Sequence, residues 1–241
     1  MKTFNTKAIL FDKDGTLLEF DPFWIAVSEF AIEQILMEFS LSLSLKGDCL
    51  KAIGLDDGVV DVDGVLCKGT YGQVASAIYS VLSKDGFSVD QKEFERVCVK
   101  AFHQNIEKGV VLPTSKKLVQ TLKTLKHAGV VLAVVTSDDA HTTEICLKGL
   151  GIYELFDKIY TDDGVHPHKP DPYYLNCFLK EYPFDKSQVY MVGDTLSDTT
   201  FAINGNIKSI AIAKTPQAKA LVQSTATFVV SDFSEILQVI D

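Results

Sequence analysis

A chain of 241 residues, 46% hydrophobic and 23% charged, is long enough for one large domain or for a core domain with a smaller partner, and it can bury a core without disulfides. The formal net charge of -9 excludes a broad nucleic-acid or anionic-membrane surface, so an anionic small substrate would have to be met by a local lysine or a bound metal. Five cysteines with no CxxC spacing exclude a zinc ribbon and a thiol-redox motif and fit a reducing cytoplasm, and no apolar run is long enough to span a bilayer.

Met1-Lys2-Thr3-Phe4-Asn5 runs straight into the first predicted strand and lacks the form of a signal peptide. The apolar run Ala8-Ile9-Leu10-Phe11 reads as a buried strand that delivers Asp12-Lys13-Asp14-Gly15-Thr16 to its carboxyl end. Two acids two residues apart point to one side, and two like charges held together are costly unless a cation, a shared proton or a reaction uses them. Gly15 lets the backbone turn, and Lys13 is expected at an exposed turn position. Asp21-Pro22 then starts a long helix over 23–39 whose apolar face is Phe23, Val27, Phe30, Ala31 and Ile35. Leu41 to Leu45 alternates with period two and reads equally as a short strand or a fraying helix end. Glycines and aspartates over 54–72 predict a long loop, and helices are predicted over 72–82 and 90–106. Residues 20–108 thus form a helical block with no strands. Asp61-Val62-Asp63-Gly64 repeats the DxDG pattern, but only Val59-Val60 precede it, so it reads as a loop of this block and not as a second reactive strand end.

Val110-Val111-Leu112-Pro113 marks a change to alternating helices and strands. The pattern predicts a helix over 114–127 ended by Gly129, a β-branched strand over 130–135, a helix over 140–148 and a short strand over 158–160. A helix over 171–181, a strand over 188–192, a helix over 198–203, strands over 208–213 and 228–230 and a closing helix over 234–239 follow. The expected fold class is α/β, a doubly wound parallel sheet, with residues 1–19 and 109–241 forming its core and 20–108 inserted after the first strand. Ligands of such sheets bind beyond the carboxyl ends of the strands.

Four sets of residues should meet at that edge: Asp12 and Asp14; Thr136 and Ser137; Lys169 in His168-Lys169-Pro170-Asp171-Pro172; and Asp194 and Asp198 in Gly193-Asp194-Thr195-Leu196-Ser197-Asp198. This set suits phosphoryl transfer. A phosphate monoester is a dianion, so a carboxylate nucleophile needs compensation from a lysine and from a Mg²⁺ ion held by carboxylates. A hydroxyl such as that of Thr136 can bond the phosphoryl oxygens, and a second carboxyl can give and take the proton.

Joined in this order, DKDGT, a strand ending in Thr136, HKPDP and GDTLSD resemble the haloacid dehalogenase superfamily of phosphatases, over nearly the whole chain. The resemblance implies a Rossmann-like core with a small α-helical cap, formed here by 20–108, that closes over the site. It implies Asp12 as nucleophile and Mg²⁺ ligand, and Asp14 as general acid/base that also offers its backbone carbonyl to the metal. It implies Thr136, with Ser137 beside it, and Lys169 as the phosphoryl-binding groups, Asp194 as a metal ligand and Asp198 as an outer-shell group. Within the superfamily the chain looks most like the phosphoglycolate phosphatase-like subgroup, implying a small phosphorylated metabolite as partner. A phosphomutase of the β-phosphoglucomutase type and a non-catalytic scaffold that binds a phosphorylated ligand are the alternatives. Lys13, Asp138-Asp139 and Asn206 depart from the usual pattern. His166 and His168 flank Pro167 without a third ligand in view, His103 and His127 read as helix residues, and Phe20, Phe23 and Trp24 are candidates for the cap side of the pocket.

Overall fold

Four consecutive apolar residues form β1 (Ala8–Phe11), and all four are buried because the strand lies inside a sheet covered on both faces. The computed structural model describes residues 4–62, 64–84 and 86–240. The chain divides into two compact units, one of Met1–Glu19 and Leu112–Asp241 and the other of Phe20–Val111.

The second unit holds α1 (Phe20–Glu38), α2 (Lys46–Ala52), β2 (Leu55–Asp56), β3 (Val59–Val60), α3 (Val65–Lys68), α4 (Tyr71–Lys84) and α5 (Gln91–Asn105). It is helical apart from the hairpin of β2 and β3, which corrects the expectation of no strands. Asp57 and Gly58 both have positive φ (47° and 76°), as a two-residue Asp-Gly hairpin turn demands. Strands of two residues carry no periodicity, which is why the stretch reads as loop from its glycines and aspartates. Of the second DxDG, Asp63 lies outside the described residues, and Gly64 donates its N–H to the Asp61 carbonyl at 2.9 Å. The stretch 41–45 is neither strand nor frayed helix: Leu43–Leu45 is a 3₁₀ turn capped by the Ser42 hydroxyl, leading into α2. On α1 the row Trp24, Ser28, Ile32 widens the buried stripe of Phe23, Val27, Ala31 and Ile35. That turns Phe30 to the edge, where it is 45% exposed. Phe23 is fully buried and Trp24 meets it edge-on at 5.2 Å, so both are core residues of this unit.

The first unit continues with α6 (Leu118–His127), β4 (Val131–Asp139), α7 (Ala140–Gly149), β5 (Lys158–Asp162), α8 (Tyr173–Glu181), β6 (Val189–Gly193), α9 (Leu196–Gly205), β7 (Lys208–Ile212), α10 (Pro216–Val222), β8 (Phe228–Val230) and α11 (Ile236–Val239). The six strands form one parallel sheet in the order β5-β4-β1-β6-β7-β8. Strand alternation sorts the core. Ile9, Phe11, Leu132 and Val134 pack with Leu122 and Leu125 of α6 and Leu147 of α7. Ala8, Leu10, Ala133 and Val135 pack with Leu175 and Phe178 of α8 and Phe201 of α9 on the other face. Two boundaries move for local reasons. Helix α6 starts at Leu118 because Thr114 and Ser115 spend their hydroxyls elsewhere, on the Thr16 carbonyl and the Lys117 N–H. Strand β4 runs on to Asp139 through an irregular pairing with β5, four residues past the expected end. The helix α10 follows a Thr215-Pro216 start that the pattern reading passed over. Asn206 ends α9 at φ 55°, a left-handed position where asparagine is the usual substitute for glycine.

Candidate active site

Strand register brings the motif residues to one edge. Phe11 lies opposite Val134 on β4 and Val192 on β6, so Asp12 follows directly between Val135–Thr136 on one side and Gly193–Asp194 on the other. The Asp12 N–H donates to the Val192 carbonyl at 2.8 Å, prolonging the ladder by one bond.

Lys169 is the centre of the cluster. Its side chain is 4% exposed, and Nζ donates to Asp12 Oδ1 at 2.5 Å and to Asp198 Oδ1 at 2.6 Å. The other oxygen of Asp198 accepts the Thr195 N–H at 3.1 Å and the Thr195 hydroxyl at 2.7 Å. Both Asp198 oxygens are therefore committed to donors. Asp194 is partly buried and accepts the Thr16 hydroxyl on Oδ1 at 3.0 Å. Carboxylate oxygens of Asp12, Asp194 and Asp198 lie within 4.8 Å of one another.

Two glycines make room for these acids. A Cβ on Gly15 would fall 2.2 Å from Asp194 Oδ2, and one on Gly193 would fall 2.2 Å from Asp198 Cγ. Gly15 also has φ +75°, so the turn after Asp14 needs glycine twice over. Gly15→Ala is expected to cost about 1–3 kcal/mol, from the strained φ and the displaced carboxylate. Gly129→Ala is the control. It shares a positive φ, +81°, but its added Cβ meets nothing within 4 Å, so it is expected to cost less in a urea melt of the same protein.

The electrostatics show what the cluster lacks. Burial raises the Asp12 carboxyl to about 7, with Lys169 opposing and Asp198 adding to the rise. Burial also pushes Asp194 well above the usual carboxylate range, and Asp12 and Asp198 push the same way. Burial alone would lower the Lys169 ammonium, but Asp12 and Asp198 more than reverse this and raise it. One lysine thus leaves the acids undercompensated. Oxygen donors of this kind fit a hard divalent cation, and Asp12 and Asp194 have the oxygens to spare for it.

Thr136 is buried on β4, and its Oγ1 accepts the Asp138 N–H at 3.2 Å, while Ser137 next to it is exposed. The expectation for Lys13 is overturned. Lys13 is fully buried, because the alternation that buries Ile9 and Phe11 carries it to the same helix-covered face. Its Nζ lies 2.7 Å from Asp14 Oδ2 and 3.0 Å from Asp138 Oδ2. Thr16, Lys13 and Asp138 are the residues of this site to which the motif reading gave no role. The odd-even parity of β1 was the one sequence signal for the side Lys13 takes; that β4 runs far enough to bring up Asp138 is seen only in the structure.

His166 stays on the surface, where Nδ1 meets Asp163 Oδ2 at 2.7 Å and the ring stacks on Tyr173 at 4.6 Å. None of the five cysteines forms a disulfide. No described helix is long and apolar enough to cross a membrane.

The chain is similar to known proteins along its whole length. An N-acetylmuramic acid 6-phosphate phosphatase of Pseudomonas putida is 27% identical over 210 residues, covering 86% of this chain and 82% of that protein. A phosphoglycolate phosphatase of Vibrio parahaemolyticus is 26% identical over 235 residues, covering 97% and 96%. Among solved structures, a predicted phosphoglycolate phosphatase from Haemophilus somnus superposes with a TM-score of 0.72 at 20% identity, over 99% of both chains. The sequence model of the family described as Haloacid dehalogenase-like hydrolase matches residues 76–212, a span that holds Thr136, Lys169, Asp194 and Asp198. That match takes in more than half of the chain, and the parallel sheet beneath it gathers Asp12 to the same strand edge; the protein belongs to the haloacid dehalogenase-like hydrolases.

Proposed function

We propose that the protein is a Mg²⁺-dependent phosphatase that hydrolyses a small phosphorylated metabolite, phosphoglycolate-like in class, through a phosphorylated Asp12. The observation that carries this reading is Lys169, buried and bonded at once to Asp12 and Asp198, beside a third acid, Asp194. A lysine so placed neutralises a carboxylate nucleophile and a phosphoryl dianion in the same spot.

In this reading Asp12 attacks phosphorus as the bond to the leaving oxygen breaks, and Asp14 gives that oxygen a proton. Water then attacks the phosphoryl group, Asp14 takes a proton from it, and Asp12 leaves as a free carboxylate with inorganic phosphate as product. The Thr136 hydroxyl and Lys169 bond the phosphoryl oxygens, and Ser137 stands at the same strand end. Asp12, Asp194 and the Asp14 carbonyl would hold Mg²⁺, which supplies the positive charge the phosphoryl dianion requires. Asp198 orients Lys169 and takes no metal, since both its oxygens are used. The Phe20–Val111 unit serves as a cap that selects the leaving group.

The relatives carry names for different esters, a two-carbon acid phosphate and an amino-sugar phosphate, so a panel is the right test. Phosphate release is measured from phosphoglycolate, N-acetylmuramic acid 6-phosphate and p-nitrophenyl phosphate, with Mg²⁺ or with EDTA. Release with Mg²⁺ and its loss in EDTA is the expected result; no release from any ester with Mg²⁺ sinks the reading.

The cation also has a stability signature. A carboxyl raised to about 7 favours the folded state fully below its ordinary value of 3.8, and that contribution is lost as pH rises through about 7. Bound Mg²⁺ takes over the proton's role. Saturating Mg²⁺, at about a hundred times its Kd, is expected to add about 2.7 kcal/mol at pH 8. At pH 5.5 the gain should be clearly smaller, because protons compete. Thermal melts at the two pH values decide this, and an equal shift at both contradicts it.

A further inference from the structure

Lys13 and Asp138 are two of the charged residues that break the sequence pattern, and the fold brings them together. Nζ of Lys13 is 3.0 Å from Asp138 Oδ2 and 2.7 Å from Asp14 Oδ2, with Cys146 Sγ of α7 at 3.9 Å. The Lys13 side chain is 0% exposed, the Asp138 side chain 7%, and the Asp14 side chain 19%. The group that reaches solvent is therefore the carboxylate of Asp14.

The contacts behind Asp14 form a chain of fixed groups. Asp138 Oδ1 accepts the Asp139 N–H at 2.9 Å. Asp139 in turn caps α7, accepting the N–H groups of His141 and Thr142 at 2.8 and 3.0 Å. The ammonium of Lys13 is thus anchored through Asp138 to a helix start. Burial by itself would lower the Lys13 ammonium, but Asp14 and Asp138 reverse this and raise it, so the lysine stays charged.

Resting on the phosphatase reading, we propose that Lys13 is a positioning residue for proton transfer: backed by Asp138, it holds the Asp14 carboxylate in one orientation toward the leaving oxygen. A carboxyl with free torsions must be caught in the right geometry at each turnover, and a fixed partner removes that search. Outer partners of this kind are worth about tenfold to a hundredfold in activity. The competing account is purely structural: Lys13 only neutralises the buried Asp138.

The two accounts separate in a pair of variants. Lys13→Met strands the Asp138 carboxylate in the core, and a low melting temperature or failure to fold is expected under either account. Lys13→Met with Asp138→Asn removes both charges, which restores folding. Steady-state kinetics of this double variant are measured on an alkyl phosphate, which needs a proton on its leaving oxygen, and on p-nitrophenyl phosphate, which needs it far less. The expected result is a kcat lower by about tenfold to a hundredfold on the alkyl ester. KM should stay within about twofold, and the loss on the nitrophenyl ester should be much smaller. A double variant with wild-type kcat on the alkyl ester, or with equal losses on both esters, overturns the proposal. The wild type in the same assay keeps the questions apart: if it hydrolyses neither ester the phosphatase reading fails, and if it is active while the double variant matches it, only the positioning role fails.

Discussion

Asp12→Asn is expected to abolish phosphate release, by at least about 10⁴-fold, while making the metal-free protein more stable at pH 8. The two effects have one origin. The carboxylate is the nucleophile in the proposed reaction, and the amide that replaces it keeps the shape but cannot form the phosphoryl ester. In the resting protein the same carboxylate is a buried like charge beside Asp194 and Asp198. Burial, with Asp198 adding, holds it near 7, so at pH 8 the folded state carries an unwelcome negative charge. The variant loses that charge and still offers an oxygen to the Lys169 ammonium. A gain of about 2–4 °C in melting temperature is reasonable for a chain of this size. The gain should disappear by pH 5, where wild-type Asp12 is already protonated. A variant that keeps measurable turnover, or that melts lower than wild type at pH 8 in EDTA, contradicts this account.

Lys169→Met is expected to reduce both activity and stability. The ammonium is the buried cation between Asp12 and Asp198. Removing one partner of a buried ion pair typically costs about 3–5 kcal/mol, because the acids are left uncompensated. The proposed reaction loses a donor to the phosphoryl group at the same time, and such donors are worth at least about a hundredfold in kcat. Lys169 is also the group that opposes the rise of the Asp12 carboxyl, so residual activity should fall off at a higher pH on the acid side. Lys169→Met with Asp198→Asn tests the assignment. Urea melts should recover most of the stability, and kcat should not recover. Recovery of both would make Lys169 a structural residue and Asp12 a carboxylate that needs no neighbour.

Asp12 and Asp194, two of the proposed site residues, were legible in the sequence because each stands directly after an apolar strand. Strand ends are fixed by local pattern, and a parallel sheet aligns its carboxyl ends whatever the packing details. Ala8–Phe11 followed by Asp12, and Val189–Gly193 followed by Asp194, needed no tertiary information to be placed at one edge. Lys169 was harder: its own strand, β5, ends at Asp162, and a loop carries it back to Asp12. The DKDGT and GDTLSD words identified it by company, since a lone lysine between prolines has no periodicity.

What local pattern could not decide was the environment on the far side of those strand ends. Lys13 looked like a turn residue because it follows the last apolar position of β1. Only the covering helix α7 makes its side a buried one, and only the extra length of β4 supplies Asp138 to receive its charge. Neither fact is local to residue 13. The same holds in part for Gly15: its positive φ is local, but the space its missing Cβ leaves is taken by Asp194, far along the chain. By itself, then, the order of residues determined the sheet, the edge at which its strands end and the acids and lysine gathered there, because strand alternation and motif spacing are short-range properties. The tertiary structure alone decided which charges are buried together, since burial and ion pairing depend on contacts between segments far apart in the chain.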